Sequence, residues 1–230
     1  MTTSSDTDAH TPCCSRQAVR APRIGQPAPN FSARATTGPF NLADYRGQWV
    51  LLFSHPADFT PVCTSEFVAF AKAHAEFEAR DCALVALSVD SLFSHLAWVR
   101  AIKDHFGVEV RFPVLEDPTL EIGRAFGMVG HNDTDSSAVR ASFFIDPEGV
   151  IRATSCYPAT IGRSVEELIR TLDALQKCDA SAAAGDHALV PEGWRPGSDL
   201  LARPSADLGD ILSREGSVDW FYRPIKDNAK

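Results

Sequence analysis

Apolar positions along this chain follow two rhythms, one of strands buried on both faces and one of amphipathic helices. Trp49-Val-Leu-Leu-Phe53 is continuously apolar and predicts a buried strand. A polar turn holding Pro56 and Pro61 follows it. Phe67, Phe70, Ala71, His74 and Phe77 then recur at helical spacing, so a helix must begin close to Cys63. Leu84-Val-Ala-Leu-Ser-Val89 reads as a second buried strand. Asp90 or Ser91 can cap the next helix, marked by Leu92, His95, Leu96, Val99 and Ile102. Residues 112–115 form a short strand stopped by Asp117-Pro118, and residues 119–126 a short helix ending at Gly127. Two strands, 140–145 and 150–157, meet through Asp146-Pro-Glu-Gly149 as a hairpin. Ser164-Val-Glu-Glu167 is a capping box opening a helix that reaches about Gln176. No internal repeat is present. This order predicts an α/β sandwich around a mixed sheet.

The two ends depart from that rhythm. Residues 1–23 are rich in Ser, Thr, Ala and charge, and are expected to be disordered. From Cys178 the chain passes through Ala180-Ser-Ala-Ala-Ala-Gly185 into a Pro- and Gly-punctuated region. Its closing Val218-Asp-Trp-Phe-Tyr222 is apolar for a tail and is expected to pack on something. The expected division is thus 1–23, 24–177 and 178–230.

Composition narrows the setting. With 230 residues, 44% apolar and 23% charged, the chain can bury a sizeable core and an appendage. A net charge of −8 argues against nonspecific nucleic-acid binding. No apolar run approaches the ~18–20 residues that span a membrane, and the N-terminus lacks a secretory pattern. The expected location is cytoplasmic and reducing, where free thiols persist.

The candidate chemistry sits at one strand-to-helix junction, Ser54-His-Pro-Ala-Asp-Phe-Thr-Pro-Val-Cys63-Thr-Ser-Glu66-Phe67. A thiol in the first turn of a helix faces unpaired N–H groups and the positive end of the dipole, and both favour the nucleophilic thiolate. Thr60 can hydrogen-bond the sulfur or a bound oxygen. Pro56 and Pro61 stiffen the approach. Glu66, one turn on, can fix an arginine. The alternative for Cys63 is an inert buried cysteine, which would not need Pro, Thr and Glu around it.

Pro56-x-x-x-Thr60-x-x-Cys63 resembles the active-site signature of the peroxiredoxins, thiol peroxidases with a thioredoxin-like fold. The longer His-Pro-x-Asp-Phe-Thr-Pro-Val-Cys-Thr-x-Glu, from His55, is similar to the one-cysteine, peroxiredoxin-six-like subfamily. Val139-Arg140-Ala-Ser-Phe-Phe-Ile-Asp146-Pro-Glu-Gly149 resembles the family's arginine-bearing strand, and Tyr157-Pro-Ala-Thr-Ile-Gly162-Arg163-Ser the segment with a second arginine. The resemblance runs from about Ile24 onward. It implies a thioredoxin-like fold with a mixed central sheet, a small C-terminal peroxiredoxin domain reaching a partner subunit, and a homodimer or larger assembly.

The same resemblance implies roles. Cys63 would attack hydrogen peroxide or an organic hydroperoxide and become a sulfenic acid. Thr60 would hold the peroxide, Arg140 would stabilise charge, and Pro56 would shield the pocket. His55, Glu66 and Arg163 would support them. An ordinary ion pair for the two arginines, and a packing role for His55, stand as alternatives. No metal, haem or flavin is implied.

The remaining cysteines bear on recycling. Leu189-Val-Pro-Glu-Gly-Trp194 resembles the place where two-cysteine relatives carry a resolving cysteine, and Val190 occupies it. An external thiol such as glutathione or thioredoxin is therefore expected to reduce the sulfenic acid. Cys178 and Cys156 are conceivable internal resolvers, though Cys156 is expected in the core, as is Cys82. Cys13 and Cys14 lie in the N-terminal tail.

Rival functions fare less well. Thioredoxin-type exchange needs C-x-x-C, and Glu66 stands at that offset. The G-x-S-x-G setting credited to some relatives for phospholipase activity is absent. The cysteines and seven histidines show no metal-ligand spacing. A peroxide sensor or holdase switched by Cys63 oxidation remains the alternative function.

Overall fold

The computed structural model describes residues 21–129, 139–213 and 218–227. Its strands are β1 (Ser32–Ala35), β2 (Gly38–Asn41), β3 (Trp49–Ser54), β4 (Cys82–Ser88), β5 (Val114–Glu116), β6 (Arg140–Ile145), β7 (Ile151–Tyr157), β8 (Leu200–Leu201) and β9 (Pro224–Ile225). Its α-helices are α1 (Pro61–Glu78), α2 (Leu92–Phe106), α3 (Glu121–Ala125), α4 (Val165–Ala183) and α5 (Leu208–Ser213). Seven strands form one mixed sheet in the order β2-β1-β5-β4-β3-β6-β7. The β3–β4 and β4–β5 pairs are parallel, whereas β3–β6 and β6–β7 are antiparallel.

Alternation along the central strand explains the layers. Every residue of β3 is buried, because both faces of the sheet are covered. Leu51 and Phe53 join Phe67, Phe70 and Phe77 of α1, Trp98 of α2 and Leu172 of α4 in one core. Val50 and Leu52 point the other way, into a second core with Val85, Leu87, Phe126 and Phe143. Phe53 stacks on Phe70 at 4.2 Å between ring centroids. Each such fully buried side chain contributes about 1.5–3 kcal/mol relative to exposure.

Most predicted elements are present with shifted ends. Ser91 is the α2 cap, accepting from the Ser94 N–H, and Ser164 caps α4 by accepting from the Glu167 N–H. Helix α4 runs past the expected Gln176 to Ala183, because Ala180-Ser-Ala-Ala propagates a helix well. Gly185, at φ 84°, follows its end. The expected 177/178 division therefore falls inside a continuous helix.

One expectation is corrected. Cys156 is exposed, not core. It lies on β7, the outermost strand of the sheet, where the outward face has no layer over it. Val218, Phe221 and Tyr222 of the apolar tail segment are more than half exposed, whereas Trp220 is half-buried and its carbonyl accepts from the Ser205 N–H. Ala188, Trp194 and Leu200 make a small separate core, with Ala174, Val190 and Ile225 packed against it. The expected disorder of 1–23 and the pair Cys13 and Cys14 concern residues that lie almost wholly outside the described ones. No helix among the described residues is long and apolar enough to cross a membrane.

Candidate active site

The junction between β3 and α1 is pinned before the helix begins. The His55 N–H donates to the Leu87 carbonyl, carrying the β3–β4 pairing one residue further. The Ser54 hydroxyl donates to the Val139 carbonyl and accepts from the Ala141 N–H, tying the turn to β6. The Asp58 N–H donates to the Asp90 carboxylate at 2.9 Å. Phe59 then adopts φ 55°, a left-handed conformation that costs a phenylalanine roughly 1–2 kcal/mol. That reversal aims Thr60 and Pro61 into the first turn of α1.

Cys63 is the third residue of α1 and fully buried. The first intrahelical bond runs from the Thr64 N–H to the Thr60 carbonyl, which leaves the amides before it free of helical partners. The Thr60 hydroxyl does not cap the helix. It donates to the Ala57 carbonyl at 2.9 Å. Pro56 is buried beneath this turn.

Arg140 is the first residue of β6, beside β3, and only 2% exposed. Its Nη1 donates to the Cys63 sulfur at 3.3 Å and to Glu66 Oε2 at 2.8 Å. Nε and Nη2 both donate to the Ala159 carbonyl, at 3.0 and 2.7 Å, which fixes the plane of the guanidinium. Glu66 also receives Arg163 through its backbone N–H, Nε and Nη2, at 2.7 to 2.9 Å. Arg163 Nη1 donates to the Ala141 carbonyl and the Ser142 hydroxyl. Its guanidinium carbon lies 5.1 Å from the Phe53 ring centroid. Burial works against ionisation of Glu66, but the bonds and charge of Arg163, with Arg140, hold its pKa below the usual range. Two buried cations thus share one buried carboxylate beside the sulfur.

Behind the loop lies a second polar cluster. His55, Asp58 and His95 are all buried, and their nitrogen and oxygen atoms lie within 4.8 Å of one another. Burial resists ionisation of Asp58, yet bonds from the two imidazoles outweigh it and lower its pKa to about 2. Burial also pushes the His55 pKa down, against the pull of Asp58.

The structure therefore brings Cys63, Arg140, Glu66 and Arg163 into direct contact, with Thr60 and Pro56 in the turn before them. His55 is on the far side of that turn, bonded to Asp58 and not to the sulfur. His95 escaped the sequence reading as chemistry, since its helical spacing marks it only as an inward-facing position of α2. No linear spacing links it to Asp58, because the two come from different elements. Cys82 is inert here, its thiol pushed up to about 12 by burial. Cys178 is half-buried, with its thiol also raised by burial and the Val190 amide bonded to it.

Residues 24–154 match the AhpC/TSA family. A peroxiredoxin from Aquifex aeolicus is 50% identical over 215 residues, covering 89% of this chain and 97% of that protein. Peroxiredoxin 2 of Caldanaerobacter subterraneus is 45% identical, covering 88% of this chain and 90% of its own length. Among solved structures, a yeast mitochondrial 1-Cys peroxiredoxin, studied for thiol resolving by the glutathione and thioredoxin systems, superposes with a TM-score of 0.77 at 38% identity. It covers 89% of this chain and 99% of that one. Peroxiredoxin 6 of Arenicola marina gives 0.71 at 32% identity, covering 83% and 88%. With a thioredoxin-like mixed sheet, a thiol at a helix start and relatives of this closeness, the chain belongs to the AhpC/TSA family and is a peroxiredoxin, a thiol-dependent peroxidase.

Proposed function

We propose that Cys63 is the thiol that reduces the peroxide, and that this chain works as a one-cysteine enzyme recycled by an external thiol. The observation that carries the reading is the Arg140 guanidinium donating to both the Cys63 sulfur and Glu66. Arg140 and Arg163 bring two positive charges into a buried site, and Glu66 neutralises one of them. A thiolate at Cys63 supplies the other negative charge, as a buried ion requires a partner.

In the reaction the sulfur attacks one peroxide oxygen, the S–O bond forms and the O–O bond breaks. The departing oxygen takes a proton and leaves as water, or as an alcohol from an organic hydroperoxide. Arg140 stabilises charge moving from sulfur to that oxygen. The Thr60 hydroxyl, its hydrogen committed to the Ala57 carbonyl, offers lone pairs to the peroxide O–H. Buried Pro56 keeps water from the sulfenic acid. One external thiol then displaces water to form a mixed disulfide, and a second releases the Cys63 thiol with a small-molecule disulfide. Glutathione or a thioredoxin-type dithiol fits this step.

Two further readings rest on surface and composition. Leu208, Leu212, Val218, Phe221 and Tyr222 are exposed in one C-terminal region, which suits a homodimer or larger assembly burying them against another copy. The unpaired thiols of Cys63, Cys82, Cys156 and Cys178 suit a reducing, cytoplasmic compartment.

Mass spectrometry after stoichiometric hydrogen peroxide with dimedone tests the central reading on wild type and Cys63→Ser. A dimedone adduct at Cys63, absent from the variant, is expected. A disulfide from Cys63 to Cys178 or Cys156 would overturn the recycling step. Oxidation of other cysteines with Cys63 untouched would overturn the site.

A further inference from the structure

Cys63 is fully buried, so an external thiol meets its sulfenic acid only when the first turn of α1 opens. A reductant moored beside that turn raises the local thiol concentration. The surface next to it has the form of a mooring. Along α1, Val62, Glu66, Ala69, Ala73, Glu76 and Arg80 recur three or four residues apart and share one face. The loop before α4 covers the start of this stripe. A Cβ on Gly162 would stand 3.3 Å from Val62 and 3.8 Å from Glu66, the partner of both site arginines. From Ala69 onward the stripe lines a groove of about 540 Å3, completed by α4 and by Arg195-Pro196 of the C-terminal region. That volume lies in the range of small-molecule sites.

The charges in the groove are unevenly used. Arg80 pairs with Asp173, and Arg170 pairs with Glu167. Among the described residues, Lys72 and Arg195 pair with no carboxylate, and Glu76 and Glu166 with no cation. Weaker fields reach Arg80 from Glu76 and Glu167 from Arg195, without a bond. Between these charges the lining is apolar, with Ala69, Ala73, Val165 and Ile169. Two open cations and an open carboxylate pair suit a small zwitterion with two negative groups and one positive. Glutathione, a tripeptide thiol with two carboxylates and one ammonium, has that pattern. Ala69 follows Cys63 by six residues, about 9 Å of helix. An extended tripeptide spans about 10 Å. A protein dithiol is too large for the groove.

We propose that the groove between α1 and α4 binds the external thiol as a glutathione-type tripeptide, its carboxylates on Lys72 and Arg195 and its ammonium toward Glu76 and Glu166. The inference rests on Cys63 being a peroxide-reactive thiol recycled from outside. When the first turn of α1 opens, the tripeptide sulfur attacks the sulfenic sulfur. An S–S bond forms, the S–O bond breaks, and the oxygen leaves as water with the thiol hydrogen. A second glutathione attacks the tripeptide sulfur of this mixed disulfide. Oxidised glutathione departs and the Cys63 thiol is restored.

Nuclear magnetic resonance of reduced wild-type protein titrated with S-methylglutathione, which has no free thiol, tests the site directly. Shifts are expected at the backbone amides of Ala69, Ala73, Val165 and Ile169. Shifts confined to other residues, or none at concentrations where glutathione recycles the enzyme, overturn the proposal, and no variant has to fold.

Steady-state kinetics test the consequence. Lys72→Glu combined with Arg195→Glu should raise the glutathione KM about tenfold, the scale of losing two exposed ion pairs. Uncharged 2-mercaptoethanol, which gives the groove nothing to hold, is the control reductant. An unchanged glutathione KM, or an equal loss with 2-mercaptoethanol, overturns the inference. Recycling by a thioredoxin-type dithiol but not by glutathione also overturns it, and leaves the Cys63 reading intact. Failure of wild-type Cys63 to form the sulfenic acid overturns both together.

Discussion

A single guanidinium joins the Cys63 sulfur to the Glu66 carboxylate. Arg140 reaches sulfur and carboxylate with one nitrogen while two others grip the Ala159 carbonyl, so its position is set by four bonds. Arg140→Met should slow Cys63 oxidation by about 10²-fold, the scale of removing one preorganised donor from a reacting centre. Stopped-flow single-turnover kinetics with hydrogen peroxide measures it. A second residue-scale expectation concerns acid. Burial holds the His55 pKa below its ordinary 6.5, so the unfolded chain binds a proton that the folded one resists. The stability this group contributes is full above about 6.5 and is lost as pH falls toward the lowered value. Asp58, held at about 2 against an ordinary 3.8, contributes stability that is lost only between those values. Chemical denaturation at a series of pH values should show both ranges, and His55→Gln should flatten the upper one.

At the scale of elements, caps and edges govern behaviour. The Ser164 hydroxyl holds the first turn of α4 by accepting from the Glu167 N–H. Ser164→Ala should cost ~1 kcal/mol in urea titration, without altering the peroxidase rate. Strand position predicts thiol reactivity in the same way. Cys82 begins central β4 and is 2% exposed, whereas Cys156 sits on edge strand β7 and is exposed. Under native conditions a maleimide should label Cys156 within the time that leaves Cys82 unmodified, as intact-mass analysis would show. The sequence reading placed Cys156 in the core because a strand pattern reveals alternation but not sheet order. Every residue of β3 could be read as buried from its unbroken apolar run. β7 could not be recognised as outermost, since that depends on β6 pairing with β3 across most of the chain.

For the whole molecule, the proposed assembly rests on the exposed apolar residues of the C-terminal region. Light scattering should return at least twice the 25.0 kDa protomer mass. Phe221→Asp paired with Leu212→Asp should weaken that assembly, because a charge on an apolar contact must be desolvated without a partner. A clean protomer for the unaltered protein would remove the basis for the assembly.

Much of the fold and part of the site were legible in linear order. The strand-to-helix junction at Cys63, the caps Ser91 and Ser164 and the hairpin turn are all local. Each is decided by side chains a few residues apart, through periodicity, hydrogen-bonding reach or backbone preference. The arginines could be named from their segments, but not their shared bond to Glu66. That bond needs β6 beside β3 and the 157–163 loop folded back over α1. His95 is the plainest case of what only the tertiary structure decided. Its helix face follows from spacing, while its meeting with Asp58 and Leu115 requires three elements packed in one buried corner. Proton positions there follow from which atoms face which, and no run of neighbouring residues encodes that.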